Sequence, residues 1–590
     1  MGSAPQSKHI NLQLGWPTPC LCERQGLLEG AETALAESAD IGSVLSYGPH
    51  QGYAPLREEI AAWLYDVYQP LAGTISADRI MISGGASQNL ANITLKFADP
   101  VYTRRIFMGE PTYFLACPIF EDCGFKGKLR GIPETLDTGL DLRYLESALR
   151  TEEDEAAARC MAAGQSDEPV LKTGPTYPYI YKYLIYVNPT FSNPSGKTLS
   201  IDVRRRLVKI ARRYDALLVS DDVYDFLSWP EDPAKDDSAV AKAPPRLIDI
   251  ERELDDYSKF GNTVSIGSLS KIVGPGVRVG WAESTPAFAD ALANVGSSNS
   301  GGAPSHLAST LVSHMLQTNR LQTHIGRVLV PTYRRRYYEM MGAIKDLLVP
   351  LGFAIEVKTT AADSSSLGTA GGYFTYLRLP EDLPVAKALA AVALKQYNLR
   401  VAFGHMFIVS GDEGSLKRAE AQGGFAFCIR LCWAWHEEME LREGLRRLAD
   451  AVIIPLLISM LFARTAINVI RSSTSRRFSS AVTMSSKQEW LVILPDKPGM
   501  LSERMKVRPQ HLEGVKSLES KFWLLGGATL DEPIKEGEGP KINGSVMLGQ
   551  ADTKEEILEQ LRQDVYMKNG VWDESKIQIM PFRSAIRSAL

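Results

Sequence analysis

Two serines, a lysine and an arginine lie close together along one segment of the chain. Ser268, Ser270 and Lys271 follow the β-rich run Thr263–Gly267, and Arg278 comes after a turn rich in glycine. Hydroxyls and a guanidinium hold a phosphate dianion, and a lysine amine condenses with an aldehyde. The pattern therefore favours a site for a phosphorylated aldehyde. The alternative is a surface loop with a solvated lysine.

Two further segments carry groups that suit such a site. The segment Ser83–Leu90 follows a β-rich run and opens a predicted helix, so its free backbone amides and the positive end of the helix dipole form a phosphate seat. Asp221 and Asp222 stand at the end of the apolar run Ala216–Ser220 and are followed by Tyr224. An acidic strand end is ordinary by itself, so its significance depends on the neighbouring motifs.

The segment Ser268–Gly280 resembles the SxSKxxxPGxRxG motif of the fold-type I enzymes that depend on pyridoxal 5′-phosphate (PLP), specifically the class I and II aminotransferases. The resemblance implies that Lys271 holds the cofactor as a Schiff base (the internal aldimine) and later acts as the base. It also implies that Ser268, Ser270 and Arg278 bind the cofactor phosphate. Other motifs of the family occur in the same order between Ile10 and Pro455.

The resemblance assigns the rest of the cofactor site residue by residue. Asp221 is implied to keep the pyridine nitrogen protonated, which the cofactor needs as an electron sink. Tyr224 and Asn193 are implied to contact the phenolic oxygen, and Asn193 also the substrate carboxylate. The remaining implied contacts are phosphate binding by Ala86, Ser87 and Gln88 and stacking of Tyr113 on the pyridine ring. A core tyrosine is the alternative for Tyr113, and the role of Asp222 stays open.

The substrate side is also assigned from family segments. Arg430 matches the arginine that binds the α-carboxylate, for which a planar bidentate cation is suited. Gly15 matches the N-terminal segment that closes over the substrate. Tyr47 matches the tyrosine that reaches the phosphate in the neighbouring subunit, which implies a homodimer. The segment Gly404–Phe407 departs from the family, which usually has Pro-Gly before the aromatic residue, and so leaves substrate preference open.

The resemblance predicts transfer of an amino group from an L-amino acid to a 2-oxo acid, with 2-oxoglutarate as the expected acceptor, in ping-pong order. The segments Ser300–Gly302 and Gly371–Phe374 are similar to those of 2-aminoadipate and aromatic transaminases, and the preferred donor is left open. The alternatives are a PLP-dependent C-S β-lyase and a PLP-binding protein without catalysis. The latter type joins this fold to a DNA-binding module, for which there is no room before Ile10.

The elements that must position these residues alternate between short β-rich runs and longer helical stretches, which favours an α/β fold with a mostly parallel sheet. The prediction is an aminotransferase over 1–455, with a large domain at about 45–320 and a small domain built from the N-terminal segment and about 321–455. Helices are expected at Val203–Tyr214 and Glu437–Ile454. Two polar segments, Thr151–Gly174 and Glu231–Pro245, are expected to be surface excursions.

The segment 456–487 is predicted to be a basic linker rich in serine and arginine. Its part Met460–Thr483 has the composition of a mitochondrial transit peptide, which is read only from a free N-terminus. One hypothesis is that two reading frames have been joined there. The expected location is cytoplasmic, or mitochondrial if this segment serves as a separate N-terminus.

The segment 488–590 is predicted to be a ferredoxin-like α+β domain from its β-α-β-β-α-β order. It resembles the YciI-related (YCII) domains, because Arg508-Pro-Gln-His511-Leu512 matches their RxxHL segment. A helix is expected at Arg508–Ser520, with His511 near its start as the candidate site residue beside Arg508. A histidine near a helix start is more often structural, and the reaction of the domain is left open.

The composition and net charge also restrict the classes of ligand that the chain is expected to bind. A net charge of -4 gives no strong field for nucleic acid or anionic membranes, and the longest apolar run, Ala451–Ala463, is too short to span a bilayer. Seven cysteines without CxxC spacing predict neither a disulfide framework nor a metal site. Small-molecule amino and oxo acids are therefore the expected ligands.

Overall fold

The structure is a computed structural model, and it describes residues 8–36, 40–135, 139–164, 168–235, 244–255, 258–356, 368–381, 383–453, 488–518, 522–532 and 541–582. The chain divides into two compact units, Met1–Asn468 and Val469–Leu590. The predicted linker 456–487, with its transit-like part Met460–Thr483, lies outside the described residues. Within the described ranges, no helix is both long enough and apolar enough to cross a membrane.

The strands of the first unit are β1 (Ile10–Asn11), β2 (Ile80–Ser83), β3 (Arg105–Glu110), β4 (Leu129–Pro133), β5 (Tyr183–Val187), β6 (Ala216–Asp221), β7 (Ser228–Pro230), β8 (Thr263–Ser268), β9 (Gly280–Glu283), β10 (Ala354–Ile355), β11 (Thr369–Gly371), β12 (Phe374–Arg378), β13 (Leu399–Arg400), β14 (Ala402–Phe403) and β15 (Cys428–Cys432).

Its helices are α1 (Arg24–Ala34), α2 (Ile41–Leu45), α3 (Ala54–Tyr68), α4 (Ala86–Phe97), α5 (Ala116–Phe120), α6 (Leu142–Ala163), α7 (Ile201–Arg213), α8 (Leu247–Arg252), α9 (Pro286–Ala293), α10 (Gly296–Asn299), α11 (His306–Gln317), α12 (Arg320–His324), α13 (Val330–Leu347), α14 (Ala386–Tyr397), α15 (Glu413–Glu420) and α16 (438–453).

A seven-stranded sheet in the order β2-β9-β8-β6-β5-β3-β4 forms the centre of this unit. The strands from β8 to β4 in that order are parallel, and β9 runs antiparallel to both of its neighbours. Every residue of β5, β6 and β8 is buried, as expected for parallel strands covered on both faces. The predicted mostly parallel α/β fold is confirmed.

A second, four-stranded antiparallel sheet in the order β10-β12-β15-β14 lies in the C-terminal part of the unit. The N-terminal segment joins it: β1 pairs in parallel with β13, and the Cys432 amide donates to the Leu12 carbonyl. The N-terminal segment and the later part of the chain therefore pack together and bring Gln13 and Gly15 toward Arg430 on β15.

One predicted surface excursion contains regular structure. The first half of the segment Thr151–Gly174 continues α6 to Ala163, and most of its described residues are exposed or half-buried. The Asp141 carboxylate caps this helix by accepting from the Arg143 and Tyr144 amides, and Gly164 ends it in the left-handed region. Glu, Ala and Arg are strong helix formers, so propensity and caps prevailed over the polar composition.

The second unit contains β16 (Gln488–Pro495), α17 (Leu501–Ser517), β17 (Trp523–Leu530), β18 (Ile542–Ala551), α18 (Lys554–Gln563), α19 (Val565–Lys568) and β19 (Gln578–Phe582). Its antiparallel sheet has the order β17-β18-β16-β19, so the first and third strands are central. This order confirms the ferredoxin-like prediction. The helix begins at Leu501 rather than at the predicted Arg508, with Pro509 inside it.

Candidate active site

A cavity of about 410 Å³ lies where β5, β6 and β8 end at their carboxyl edge, the usual place for ligands in an open α/β sheet. Most of the residues predicted from the sequence line it together, although they come from segments far apart in the chain. These are Gly15, Ala86, Ser87, Tyr113, Asn193, Asp221, Tyr224, Ser268, Ser270, Lys271, Arg278 and Arg430.

One end of the cavity is built from hydroxyls, backbone amides and a guanidinium. Helix α4 begins at Ala86, directly after Gly85 at φ 113°, a conformation that suits glycine and places a helix N-terminus at the cavity wall. Ser268 Oγ donates to Ser270 Oγ at 2.9 Å. Arg278 Nη2 donates to the Gly84 carbonyl at 2.6 Å. This arrangement suits a phosphate dianion.

Lys271 is half-buried in the cavity, in the turn that follows β8. Its Nζ donates to the Gly15 carbonyl at 3.0 Å and lies 5.8 Å and 5.4 Å from the ring centroids of Tyr224 and Tyr373. Burial lowers the pKa of the Lys271 ammonium to about 8. A neutral amine, which is the nucleophilic form, is therefore accessible near neutral pH.

Asp221 ends β6 and faces the cavity with one free oxygen. Its Oδ2 accepts from the Tyr186 hydroxyl at 2.7 Å, whereas the buried Oδ1 has no partner among the described residues. Burial raises the pKa of the Asp221 carboxyl to about 6, and the neighbouring Asp222 adds to the shift. A buried carboxylate with a free oxygen calls for a cationic N–H donor.

Asp222, whose role the sequence left open, turns away from the cavity. Its two carboxylate oxygens accept from the hydroxyls of Ser220 at 2.6 Å and Ser265 at 2.5 Å. It therefore joins neighbouring strands β6 and β8 below the site.

Arg430 lies on β15 at the opposite end of the cavity and is held by two elements. Its Nη1 donates to Asn193 Oδ1 at 2.6 Å, and its Nη2 donates to the Gln13 carbonyl at 2.5 Å. The guanidinium carbon lies 4.1 Å from the Phe374 ring centroid. The buried Nε has no partner within the described part of the chain, so the guanidinium can still donate to an anionic ligand.

Two predicted residues do not line this cavity. Gln88 turns back, and its Oε1 accepts from the Gly84 amide at 2.5 Å, so its side chain shapes the turn instead of facing the phosphate seat. Tyr47 is 90% exposed. Its predicted reach into a neighbouring subunit stays a prediction, since the structure contains one chain.

The sequence reading missed several lining residues because they belong to no motif with chemistry of its own. Tyr186 was read only as part of a strand, Asn188 only as a turn residue, and Phe374 only as part of a glycine-rich block. Asn188 donates to the Asp221 carbonyl and accepts from the Asn193 amide at 2.8 Å. A polar residue at the carboxyl end of a parallel strand was the available signal.

The free groups of this cavity fit PLP. The α4 amides with Ser268, Ser270 and Arg278 suit its phosphate, Lys271 suits its aldehyde, and the unpartnered Asp221 Oδ1 suits its protonated ring nitrogen. In the described part of the chain, no group of three or more His, Cys, Asp or Glu residues could hold a metal ion.

The second unit contains a separate buried cluster around His511. The His511 Nδ1 lies 2.8 Å from Asp564 Oδ2, and its ring stacks on Tyr566 with centroids 3.9 Å apart. Arg504 pairs with Asp496 at 2.6 Å and donates to Ser545 Oγ at 2.7 Å. His511 lies inside α17 and not near its start, so the predicted position was wrong.

The expected neighbour of His511, Arg508, is exposed. The buried arginine of this cluster is instead Arg504, which precedes His511 by about two helical turns on the same buried face of α17. Because the helix was predicted to begin at Arg508, Arg504 was expected to precede it and was not assigned to this cluster.

Comparison with known proteins agrees with this geometry. The family model of the class I and II aminotransferases matches residues 12–448, and that of the YCII-related domain matches 489–583. An uncharacterized protein of Saccharomyces cerevisiae is 33% identical over 74% of this chain and 95% of its own length. The aromatic-amino-acid aminotransferase 1 of Thermococcus litoralis is 25% identical over 75% of this chain and 88% of its own.

A solved structure shares the fold. The α-aminoadipate aminotransferase of Thermus thermophilus, crystallised with N-(5′-phosphopyridoxyl)-L-leucine, superposes with a TM-score of 0.56 at 23% identity, covering 76% of this chain and 93% of that one. Together with the family match and the Lys271 cavity, these findings show that the chain belongs to the class I and II aminotransferases, which depend on pyridoxal phosphate, and that a YCII-related domain follows this part of it.

Proposed function

We propose that this aminotransferase moves the amino group of an L-amino acid to 2-oxoglutarate in ping-pong order. The observation that carries the proposal is the placement of three groups in one cavity: the Lys271 amine, the unpartnered Asp221 oxygen and the Arg430 guanidinium. The amine and the buried carboxylate suit the aldehyde and the ring nitrogen of the cofactor, and the guanidinium suits the α-carboxylate that every α-amino acid carries.

Arg430 binds the α-carboxylate of the substrate, because its guanidinium is buried and held in orientation by Asn193 and Gln13. This contact directs the α-carbon toward Lys271, which lines the same cavity. When bound, PLP supplies an electron sink for the pair of electrons left by the α-proton. Lys271 takes up that proton and returns it, since a pKa near 8 suits an acid-base group at neutral pH.

Asp221 keeps its negative charge next to the cofactor ring nitrogen during these proton transfers. The Tyr186 hydroxyl stabilises that charge and fixes the carboxylate plane. The N-terminal segment covers the site from the other side, since the Gly15 carbonyl accepts from Lys271 Nζ. A β-carbon on Gly15 would come within 2.7 Å of the Phe374 ring, so this close approach requires glycine.

The donor is proposed to be an aromatic amino acid or 2-aminoadipate. The cavity lining includes Trp16, Phe114, Leu115 and Phe374, which offer apolar contacts to a large side chain. The names of the relatives reported above, an aromatic-amino-acid and an α-aminoadipate aminotransferase, support the same choice.

A donor panel followed at the cofactor absorbance tests the proposal. The purified holoenzyme is mixed in single half-reactions with 2-aminoadipate, phenylalanine, tyrosine and kynurenine, and then with 2-oxoglutarate. We expect the cofactor spectrum to convert with a donor and to return with the acceptor. Release of pyruvate and ammonia from cystathionine without this return would instead favour a C-S β-lyase, and no spectral change with any donor would favour a PLP-binding protein without catalysis.

We also propose a homodimer in which Tyr47 reaches the phosphate site of the partner subunit. The support is the 90% exposure of the Tyr47 side chain, which leaves a large aromatic ring without cover in a single chain. Sedimentation analysis of the full chain should give a dimer, and Tyr47→Phe should raise the dissociation constant for PLP. A monomer with unchanged PLP affinity would contradict this.

A further inference from the structure

The segment between β11 and β12 places a buried tyrosine, Tyr373, against Lys271. The Tyr373 hydroxyl donates to the Lys271 backbone carbonyl at 3.1 Å. The centroid of the Tyr373 ring also lies 5.4 Å from Lys271 Nζ. Tyr373 is fully buried and is not among the residues that line the cavity. It therefore contacts the lysine of the site without being assigned to the cofactor or to the substrate.

The backbone around Tyr373 is fixed by hydrogen bonds on both sides. The Gly372 amide donates to the Leu227 carbonyl at 2.9 Å. The Trp433 amide donates to the Tyr373 carbonyl at 3.2 Å. Gly372 has φ 66°, and a β-carbon on it would come within 2.7 Å of the Phe191 side chain, so this crowded left-handed position favours glycine. The Tyr373 side chain is therefore carried by a backbone that other segments hold in place.

A second buried tyrosine supports the Tyr373 hydroxyl. Tyr333 lies on α13, and its hydroxyl oxygen is 3.3 Å from that of Tyr373. Because the Tyr373 proton is used in the bond to Lys271, Tyr333 is the donor in this contact. Hydrogen bonds in such a chain polarise and strengthen one another. The chain therefore runs from α13 through the two hydroxyls to the turn that carries the lysine.

Phe374, the residue after Tyr373, contacts the opposite end of the cavity. The centroid of its ring lies 4.1 Å from the guanidinium carbon of Arg430. Two consecutive residues therefore contact the proton-transfer group, Lys271, and the carboxylate receptor, Arg430. A single short piece of backbone thus relates the positions of the two groups.

We propose that Tyr373 is a positioning residue whose hydroxyl fixes the main chain of Lys271 relative to Arg430. The inference rests on the proposed function, because it assigns Tyr373 to the proton transfers of Lys271. A lysine amine stands on a flexible four-carbon stem, so a fixed main chain limits the volume that the amine samples. Such preorganisation raises the rate of reaction more than the affinity for substrate.

A recombination experiment without substrate tests the hydroxyl directly. Apoprotein of the wild type and of Tyr373→Phe is mixed with PLP, and the cofactor absorbance is followed by stopped flow. We expect the variant to recombine about three- to tenfold more slowly, the usual effect of losing one hydrogen bond. The midpoint of the pH dependence should stay unchanged, because the ring that shields the amine from water remains. An unchanged recombination rate would overturn the proposal.

Tyr181→Phe is the matched control, because it also removes a buried hydroxyl that donates to a backbone carbonyl. The Tyr181 hydroxyl donates to the Gly261 carbonyl at 2.6 Å, and Tyr181 does not line the cavity. We expect this control to lower the Tm as Tyr373→Phe does but to recombine at the wild-type rate. Equal slowing of both variants would show a general structural effect and refute the role of Tyr373.

Tyr333→Phe removes only the supporting donor and leaves the Tyr373 hydroxyl in place. It should therefore slow recombination by less than Tyr373→Phe does. A larger effect in Tyr333→Phe would contradict the order of the hydrogen-bond chain and the role given to Tyr373.

Turnover kinetics separate this proposal from the proposed function. With a donor from the panel and 2-oxoglutarate, Tyr373→Phe should lower kcat about three- to tenfold and change KM by less than twofold, because Arg430 keeps its contacts. A raised KM with unchanged kcat would refute the positioning of Lys271. If the wild type turned over no donor, the proposed function would fail, and the recombination rates would still decide the role of Tyr373.

Discussion

The Lys271 cavity and the His511 cluster both bury a carboxylate near a nitrogen base, but they connect the two groups differently. In the cavity, Lys271 bonds to a backbone carbonyl, and Asp221 keeps a free oxygen. In the second unit, His511 Nδ1 lies directly against the Asp564 carboxylate and its ring is stacked on Tyr566. Free polar atoms beside a cavity provide binding capacity, whereas direct pairing provides rigidity.

The His511 cluster also contains buried polar atoms without hydrogen-bond partners. Among the described residues, Asp496 Oδ2, Arg504 Nε and Trp572 Nε1 have no hydrogen-bond partner, although neither His511 nor Asp564 belongs to the side chains without one. His511 and Asp564 themselves contact each other. We therefore expect changes in the first region to affect catalysis and changes at His511 to affect stability.

Replacement of Lys271 should have the largest effect. Lys271→Ala removes both the amine that holds the cofactor and the acid-base group, so kcat should fall by more than about 10⁴-fold. Lys345→Ala, at an exposed position of α13, is the matched control and should retain activity. Stopped-flow kinetics and borohydride labelling of residue 271 check this. If the Lys271 variant retained kcat, the Lys271 cavity would not be the catalytic region that the comparison with the His511 cluster assumes.

Asp221→Asn should lower kcat by about 10²- to 10³-fold, the typical cost of removing one preorganised electrostatic contact. The amide keeps the size and the contact with Tyr186 but not the negative charge. Near-normal kcat would show that the free Asp221 oxygen does not act on the cofactor. The PLP content of the variant, measured by absorbance, controls for loss of binding.

The rate at which the apoprotein recombines with PLP should depend on pH through Lys271. Burial lowers its pKa, so the reactive neutral amine predominates above about pH 8 and its fraction falls about tenfold for each unit below. The recombination rate should therefore rise with pH and level off above about 8. A midpoint near the ordinary lysine value would contradict the effect of burial.

His511→Asn should have the smallest effect on transamination, with kcat changed by less than about twofold, because His511 belongs to the second compact unit and is not among the residues that line the Lys271 cavity. The lost pairing with Asp564 should cost the second unit about 1–3 kcal/mol. Amide hydrogen exchange of α17 in the full chain should accelerate accordingly. Gln510→Ala, at an exposed position of the same helix, is the control. Unchanged exchange in the His511 variant would show that the pair is not structural.

The elements differ in how far the sequence could predict them. Runs such as Tyr183–Val187 and Ala216–Ser220 are apolar throughout, so their strands were predicted nearly to the residue. The α6 extension and the start of α17 were missed, because a polar composition and an internal proline imitate loop signals. Boundaries depend on caps and packing, which single-sequence patterns represent poorly.

The sequence by itself determined the identity and order of the chemical groups around Lys271, because phosphate binding, amine chemistry and a ring-nitrogen partner restrict residue types and local spacing. Only the tertiary structure decided which polar atoms stay free. The unpartnered Asp221 Oδ1 and the lowered Lys271 pKa both arise from burial and from neighbours distant in the chain. Hydrogen bonding and desolvation depend on distances in space, which local sequence spacing does not specify.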